Sequence, residues 1–506
     1  MSDDASGLEK RAAARALLIL LVLTTLARLA LAGLLDLGQD EAYALAVSRP
    51  FQLSFFDHPP LAFWIAGGMQ VLFGRELSPL LLRLPFVLMF TASTWALHAL
   101  TARFYGERAG LWAAALLNLA VFFFASVGSW VVPDGPLVLA LLLAALCLAH
   151  ALAAPEGAWR DWLLAGLCLG LALLSKYQAI LTLFGAFCLL LTPAHRRWLA
   201  RPQPYAAAAL ALLMFVPVLW WNGRHDWVSF RFQLGRGGGG VHPDLSAFGR
   251  TLLGEAIYLL PWMLVGLSLA GLVALWRRSP AGNFLLALAL PPILLFNLLP
   301  LLGSAGLPHW SMAGWLFLFP LLGKALAGAR GRGRIWPLLL AGLSALSLAG
   351  IAVVAVLVVS NFRTIAGNDS MNGFLIEATS WSGLRQGLAE MGLLDRPNTF
   401  LAASNWQDAS RAAEAVRPAQ PAVAFDGDPR GFAFLGAPDR YLGMDALIAV
   451  RGSDAAPANA LAARYFDSVE PVGTFVTLKG GIPAYTTTVV LAHRLKLPVR
   501  SPYAGN

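Results

Sequence analysis

Apolar runs about as long as a bilayer-crossing helix, roughly 20 residues, succeed one another over the first 360 residues. They predict spans at 16–35, 80–102, 109–131, 135–154, 162–175, 177–194, 205–221, 251–276, 283–302, 310–327 and 335–360, about eleven in all. The stretch 162–194 is too long for one helix, and Lys176 divides it into two short spans meeting at a polar turn. The segment 61–74, "LAFWIAGGMQVLFG", is too short to cross and reads as a helix lying in the interface or re-entering it. From about Asn361 the pattern changes. The runs "NTFLAASNWQDASRAAEAV", "PAVAFDG", "DALIAVRG" and "VGTFVTLKGGI" put short β-type stretches around one clear helical pattern, bounded by Gly, Pro and Asp. The expectation is a polytopic α-helical membrane domain over 1–360, with a first external loop at 36–79, followed by a soluble α/β domain over 361–506.

Composition agrees: 58% of the 506 residues are hydrophobic and 13% charged, against roughly 25% charged in soluble proteins. The net charge of +9 does not point to nucleic acid, because the basic residues sit in short connections. With the N-terminus in the cytoplasm, every second connection is also inside: "RFYGER" (103–108), "EGAWRD" (156–161), "HRRWLAR" (195–201), "RR" (277–278) and "RGRGR" (330–334). All carry Arg, as the positive-inside rule requires. Lys10, Arg11 and Arg15 precede the first run, which reads as a retained span rather than a removed leader. Cys147, Cys168 and Cys188 all lie in apolar runs and read as membrane packing.

The opposite connections hold the titratable, turn-rich sequence: "QDEAY…FFDHPP" (39–60), "VVPDGP" (131–136), "SKYQ" (175–178), "WNGRHDWVSFRFQLGRGGGGVH" (221–242) and "GSAGLPHW" (303–310). Loops converging on one external face can build one site. That location is a multi-pass plasma membrane with the site outside, periplasmic in a Gram-negative cell. The Gly237–Gly240 run, just before His242, reads as a loop tip.

Asp40 and Glu41 follow a span exit. A partly desolvated carboxyl there suits a general base, and Asp40 before "EAYALAV" equally fits a helix N-cap. In Asp57–His58–Pro59–Pro60 the prolines fix an extended backbone. The carboxylate and imidazole can bind a divalent ion or position an acceptor hydroxyl. Asp134 lies at the bilayer surface and reads as a functional acid or as the N-cap of the next helix. Lys176, between short spans, needs a partner, and a membrane-surface phosphate would supply one; otherwise it snorkels. Arg224, Arg231, Arg236 and Arg250 oppose the positive-inside bias, and a lipid phosphate would compensate them, since Arg suits bidentate phosphate contact. His225, and His309 beside Trp310, complete the external set. Arg28, inside the first span, reads as snorkelling outward toward it.

These stretches carry a resemblance. "DEAYALAVS…FFDHPPLAFWI", "VPDGPLVL", "LALLSKYQAIL", "PVLWWNGRHDWVSFRFQLGRG", "HWSMAGWLF" and "ASNWQDASRAA" resemble, in order, blocks of bacterial glycosyltransferase family 39. That is the bacterial branch of the dolichyl-phosphate-mannose protein mannosyltransferase superfamily, to which the aminoarabinose lipid A transferases are related. The resemblance implies a GT-C fold, interfacial helices in the first external loop, and a polyprenyl-phosphate-linked sugar as donor. It implies that the catalytic carboxylate of the Asp-Glu pair is Asp40, that Asp134 is a second functional acid, and that Asp57 and His58 are site residues. The aminoarabinose transferases have Glu-Lys-Pro-Pro where this chain has "DHPP"; with His58 in place of that Lys, phosphate binding shifts to Lys176 and the loop arginines Arg224, Arg231 and Arg236.

The expected activity is inverting sugar transfer to an acceptor hydroxyl of lipid A, another glycolipid, a glycan or a protein. No Gly-rich phosphate loop or Rossmann fingerprint calls for a nucleotide cofactor. A divalent metal on Asp57 and His58 is the one cofactor the residues suggest; acceptor binding by that pair, with His225 and His309, is the other reading. A lipid or solute transporter would also be polytopic, but it should place ionisable groups near the midplane in repeated, broken helices, and no internal repeat is evident.

Overall fold

The computed structural model describes residues 2–74, 76–154, 157–236, 244–303, 306–360, 379–425, 427–437, 439–479, 481–499 and 502–503. The Gly237–Gly240 run, His242 and the expected start of the soluble domain at 361 lie outside these residues. The chain divides into two compact units. One comprises Met1–Ala30, Leu84–Trp220 and Phe230–Gly350; the other comprises Leu31–Arg83, Trp221–Ser229 and Ile351–Asn506. The division is therefore not a single cut near 360: the first loop groups with the C-terminal part of the chain.

Among the described residues, seven helices are long and apolar enough to cross a membrane: Lys10–Leu34, Pro79–Tyr105, Asp134–Ala153, Pro202–Arg224, Pro280–Leu301, Pro308–Ala327 and Ile335–Leu357. The expected span at 251–276 is corrected. It is two helices, Leu245–Leu259 and Pro261–Arg277, meeting at 101°. A residue before proline is pushed out of the α region, and Leu260 sits at φ 70°. Counted as one bent span, the pair makes eight. The other three of the eleven fall on short helices. Glu107–Leu119 has 13 residues and gives way, past an extended Ala120, to a π-helical turn at Phe122–Val127. Trp159–Ser175 has 17 residues and Ala179–Leu191 has 13. At about 1.5 Å per residue these reach roughly 20–25 Å, short of a hydrocarbon core of about 30 Å. Lys176 stands at the break, with an extended backbone.

Small residues let these helices approach closely. A Cβ on Gly185 would come within 1.9 Å of the Ala287 carbonyl oxygen, and one on Gly323 within 2.5 Å of that of Ala109. Arg28 does not snorkel. It is fully buried, its guanidinium donates to Asn118 Oδ1 at 2.5 Å, and it lies 4.8 Å from the centre of the Phe90 ring. Cys147, Cys168 and Cys188 are free thiols.

Among the described residues, the second unit contains a five-stranded sheet of order β2-β1-β3-β5-β4: β1 Thr399–Ala403, β2 Ala422–Ala424, β3 Asp445–Arg451, β4 Phe466–Lys479 and β5 Ile482–Leu495. β1 runs parallel to β2 and β3, with Leu401 opposite Ala422 and Phe400 opposite Ala446. β5 is antiparallel to both β3 and β4. All five residues of β1 are buried, as parallel strands covered on both faces demand. The helix Trp406–Val416 follows β1, capped by Asn405, whose Oδ1 accepts from Asp408 N–H at 2.9 Å.

The loop at 36–79 is tied to this region by named bonds. Arg411 donates to the Leu37 carbonyl at 2.6 Å, Arg417 to that of Leu77 at 2.9 Å, and Lys479 to Asp36 Oδ2 at 2.6 Å. Within the loop, the 61–74 segment forms the helix Leu61–Phe73.

Candidate active site

In the second unit, the acidic pair rides on the helix Gln39–Val47. Gly38 is its N-cap, so the N-cap reading of Asp40 is corrected. Both acids occupy the first turn, where the helix's positive end suits them. Their side chains part there. Glu41 is 1% exposed and turns back, accepting the Gly38 N–H at 2.7 Å. Arg83, equally buried, grips it bidentately at 2.8 and 2.6 Å. The remaining guanidinium hydrogens go to the carbonyls of Ala32, Leu35 and Asp36 at 2.7–2.8 Å. Glu41 is thus a structural anchor. Asp40 is exposed.

Tyr43, one turn on, donates to Asp57 Oδ1 at 3.1 Å and accepts the Gly431 N–H at 2.9 Å. Burial, joined by the Asp57 charge, pushes its phenol well above the ordinary range, so it stays a donor. Asp57 is buried, with the Arg430 guanidinium 3.9 Å from Oδ2. Arg430 also binds Asp428 at 3.0 Å and lies 4.1 Å over the Trp406 ring. His58, next to Asp57 in the chain, is half-buried. His225 stacks on Trp221 at 4.1 Å, and its Nδ1 lies 2.7 Å from the Trp221 carbonyl. A carbonyl only accepts, so Nδ1 carries the hydrogen of this bond. Arg224 is exposed. Among the described residues no three His, Cys, Asp or Glu side chains stand close enough to hold a metal ion. A guanidinium already faces Asp57, so these residues do not fit the metal reading.

In the first unit, Asp134 opens the helix Asp134–Ala153 at its first residue, after Pro133 as N-cap; its N-cap reading is corrected likewise. Both carboxylate oxygens accept from Lys176 Nζ at 2.9 Å, and the two residues are 7% and 6% exposed. Lys176 thus has a protein partner rather than snorkelling, the arrangement a buried cation requires. Arg231 is exposed, while Arg236 is half-buried and lies 5.2 Å over the Trp310 ring. His309, next to Trp310, stacks on Phe122 at 6.3 Å. Arg250 pairs with Asp244 at 3.6 Å.

Sequence reasoning missed Arg83, Tyr43, Arg430 and Glu255. Glu255 is fully buried, and its Oε1 accepts from Asn297 Nδ2 at 2.9 Å and from the Ser311 hydroxyl. The signal was available for two of them: Arg83 and Glu255 are lone charges inside apolar runs, where ionisable groups are costly and seldom idle.

With this geometry established, comparison with known proteins places the chain. The dolichyl-phosphate-mannose-protein mannosyltransferase family matches residues 57–221, about a third of the chain. ArnT from Cupriavidus metallidurans bound to undecaprenyl phosphate superposes with a TM-score of 0.65, covering 97% of this chain and 99% of that one at 15% identity. Its apo state gives 0.62 over 98% and 100%, also at 15% identity. The chain has the GT-C fold. The resemblance read from the motifs, to the mannosyltransferase superfamily and the aminoarabinose lipid A transferases, is borne out. So is its multi-pass membrane character. The lipid A galacturonosyltransferase RgtD of Rhizobium johnstonii is 29% identical over 198 residues, which make up 38% of this chain. The matched stretch spans 39% of that relative's length.

Proposed function

We propose that this GT-C chain is an inverting glycosyltransferase that moves a sugar from a polyprenyl-phosphate donor to an acceptor hydroxyl at the external face of the membrane. The observation that carries the reading is the divergence within the acidic pair: Glu41 is locked to Arg83 while its neighbour Asp40 is exposed. A solvent-exposed carboxylate held on a rigid first turn can reach the hydroxyl of a water-borne acceptor, as a general base must. The similarity to a lipid A galacturonosyltransferase, and the fold shared with ArnT bound to undecaprenyl phosphate, support the donor and acceptor classes.

Asp40 accepts the proton of the acceptor hydroxyl as its oxygen attacks the anomeric carbon. The bond from that carbon to the donor's phosphate oxygen breaks, and the lipid phosphate leaves with the electron pair, inverting the centre. Cations must offset the charge growing on the leaving phosphate; Arg224 is the candidate in the unit that carries Asp40, and Lys176, Arg231 and Arg236 are the candidates in the other. His58 and His225 supply ring nitrogens for acceptor hydroxyls, and Asp57 fixes the loop that bears His58. Lipid A or a related envelope glycolipid is the favoured acceptor.

The test is transfer from a polyprenyl-phosphate sugar in proteoliposomes. Asp40→Asn should lower kcat by about 10²–10⁴-fold, the contribution of a general base, with lipid movement between leaflets unchanged. Full transfer by Asp40→Asn, or lost lipid movement with intact transfer, overturns the proposal. Mass spectrometry of envelope glycolipids with and without the gene identifies the acceptor.

A further inference from the structure

The helices Pro261–Arg277, Phe319–Ala327 and Ile335–Ser360 enclose a groove of about 1210 Å³ that the transfer chemistry does not use. Its walls are aliphatic: Val265, Leu269, Val273, Leu322, Leu340 and Leu343. One end is different. Arg277 and Lys324, each in the last turn of its helix, line it with Tyr105 and Trp336, which also sit at helix termini, and Lys324 Nζ lies 4.6 Å over the Tyr105 ring. Among the described residues no carboxylate lines the groove. Its outer wall is thinly covered by protein, with Trp336 69% exposed and only 6% of the apolar window of Ile335–Leu357 buried.

Each feature has an ordinary explanation alone. A cation near a helix C-terminus complements the macrodipole, and an apolar face toward lipid is expected of any span. The conjunction asks for more. Two cations from different helices share the end of a channel with greasy walls, and an aromatic ring at that end suits the headgroup level. The volume exceeds the roughly 300–1,000 Å³ of small-molecule pockets, as an extended acyl chain requires. Basic pockets between spans on the cytoplasmic side are where anionic phospholipid headgroups dock, and Arg277 belongs to the "RR" connection that the positive-inside rule assigns to that side.

We propose that this groove binds an anionic glycerophospholipid of the inner leaflet, its phosphate on Arg277 and Lys324 and an acyl chain along Leu269, Val273 and Leu340. The site is independent of the transferase reading, and its test needs no turnover.

The probe is phosphatidylglycerol against phosphatidylcholine, each added to the full-length protein in neutral detergent and read by native mass spectrometry. Wild type and Asp40→Asn should both retain phosphatidylglycerol selectively. The double variant R277Q/K324Q should retain it about tenfold less, given the pull of each basic residue on an anionic lipid. Leu269→Trp, which fills the channel and leaves the cations, should weaken both lipids. Should the double variant not fold, a salt titration of wild type decides: phosphatidylglycerol must be lost with rising salt while phosphatidylcholine is not. Equal retention of the two lipids by wild type overturns the proposal. So does displacement by undecaprenyl phosphate that R277Q/K324Q does not weaken, which would assign the groove to the donor's tail.

Discussion

Two adjacent carboxylates, Asp40 and Glu41, have opposite fates because a helix turns successive side chains by about 100°. Glu41 is carried inward to Arg83, and Asp40 outward. Arg83→Ala would leave Glu41 buried without its cation and cost about 3–5 kcal/mol, read as the shift in an SDS-titration unfolding curve; Asp40→Asn should move that curve little. The Asp134–Lys176 pair allows a sharper separation of stability from chemistry. Lys176→Met strands a buried carboxylate and should destabilise by a similar amount. Adding Asp134→Leu should restore most of the stability and none of the transfer. Recovery of transfer in the double variant would show the pair to be purely structural. Tyr43 adds a pH signature. Its folded phenol ionises above the unfolded value of about 10, so the folded state holds the proton longer. Stability from this group is fully present below about pH 10 and lost as pH rises above it. The wild-type Tm should therefore fall more steeply between about pH 9.5 and 11 than that of Tyr43→Phe.

At the scale of elements, the apolar runs located helices well and span ends poorly. The long run at 251–276 breaks because Pro261 forces Leu260 out of the helix, a signal present in the sequence but outweighed by continuous hydrophobicity. The run at 109–131 gives way at Ala120 with no proline to announce it. Close packing is where element geometry can be tested. Gly185→Leu would drive a side chain into the backbone of Ala287. It should separate the helices Ala179–Leu191 and Pro280–Leu301 at a cost of about 1–3 kcal/mol. Gly342→Leu, where a Cβ would meet nothing within 4 Å, should be neutral in the same unfolding assay.

For the whole molecule, the asymmetry of basic connections makes a prediction of sidedness. In a chain with Cys147, Cys168 and Cys188 replaced, Asp40→Cys should react with a membrane-impermeant maleimide from outside intact cells. Arg277→Cys should react only after permeabilisation. Labelling of both from one side would invalidate the topology. The grouping of Leu31–Arg83 with Ile351–Asn506 rests on long-range bonds such as Arg411 to Leu37 and Tyr43 to Gly431, whose partners lie 374 and 388 residues apart in the chain, so no local pattern foretells them.

By itself the sequence determined the solvent of this protein and the approximate sites of its helices, and it nominated the residues proposed to bear its chemistry. Burial of apolar length and neutralisation of lone charges are local demands, written into composition and spacing. Tertiary structure alone decided which charge meets which: Glu41 with Arg83, Asp134 with Lys176, Asp57 with Tyr43 and Arg430. A charge taken out of water must find its complement wherever the fold brings one, and that complement can come from any point along the chain.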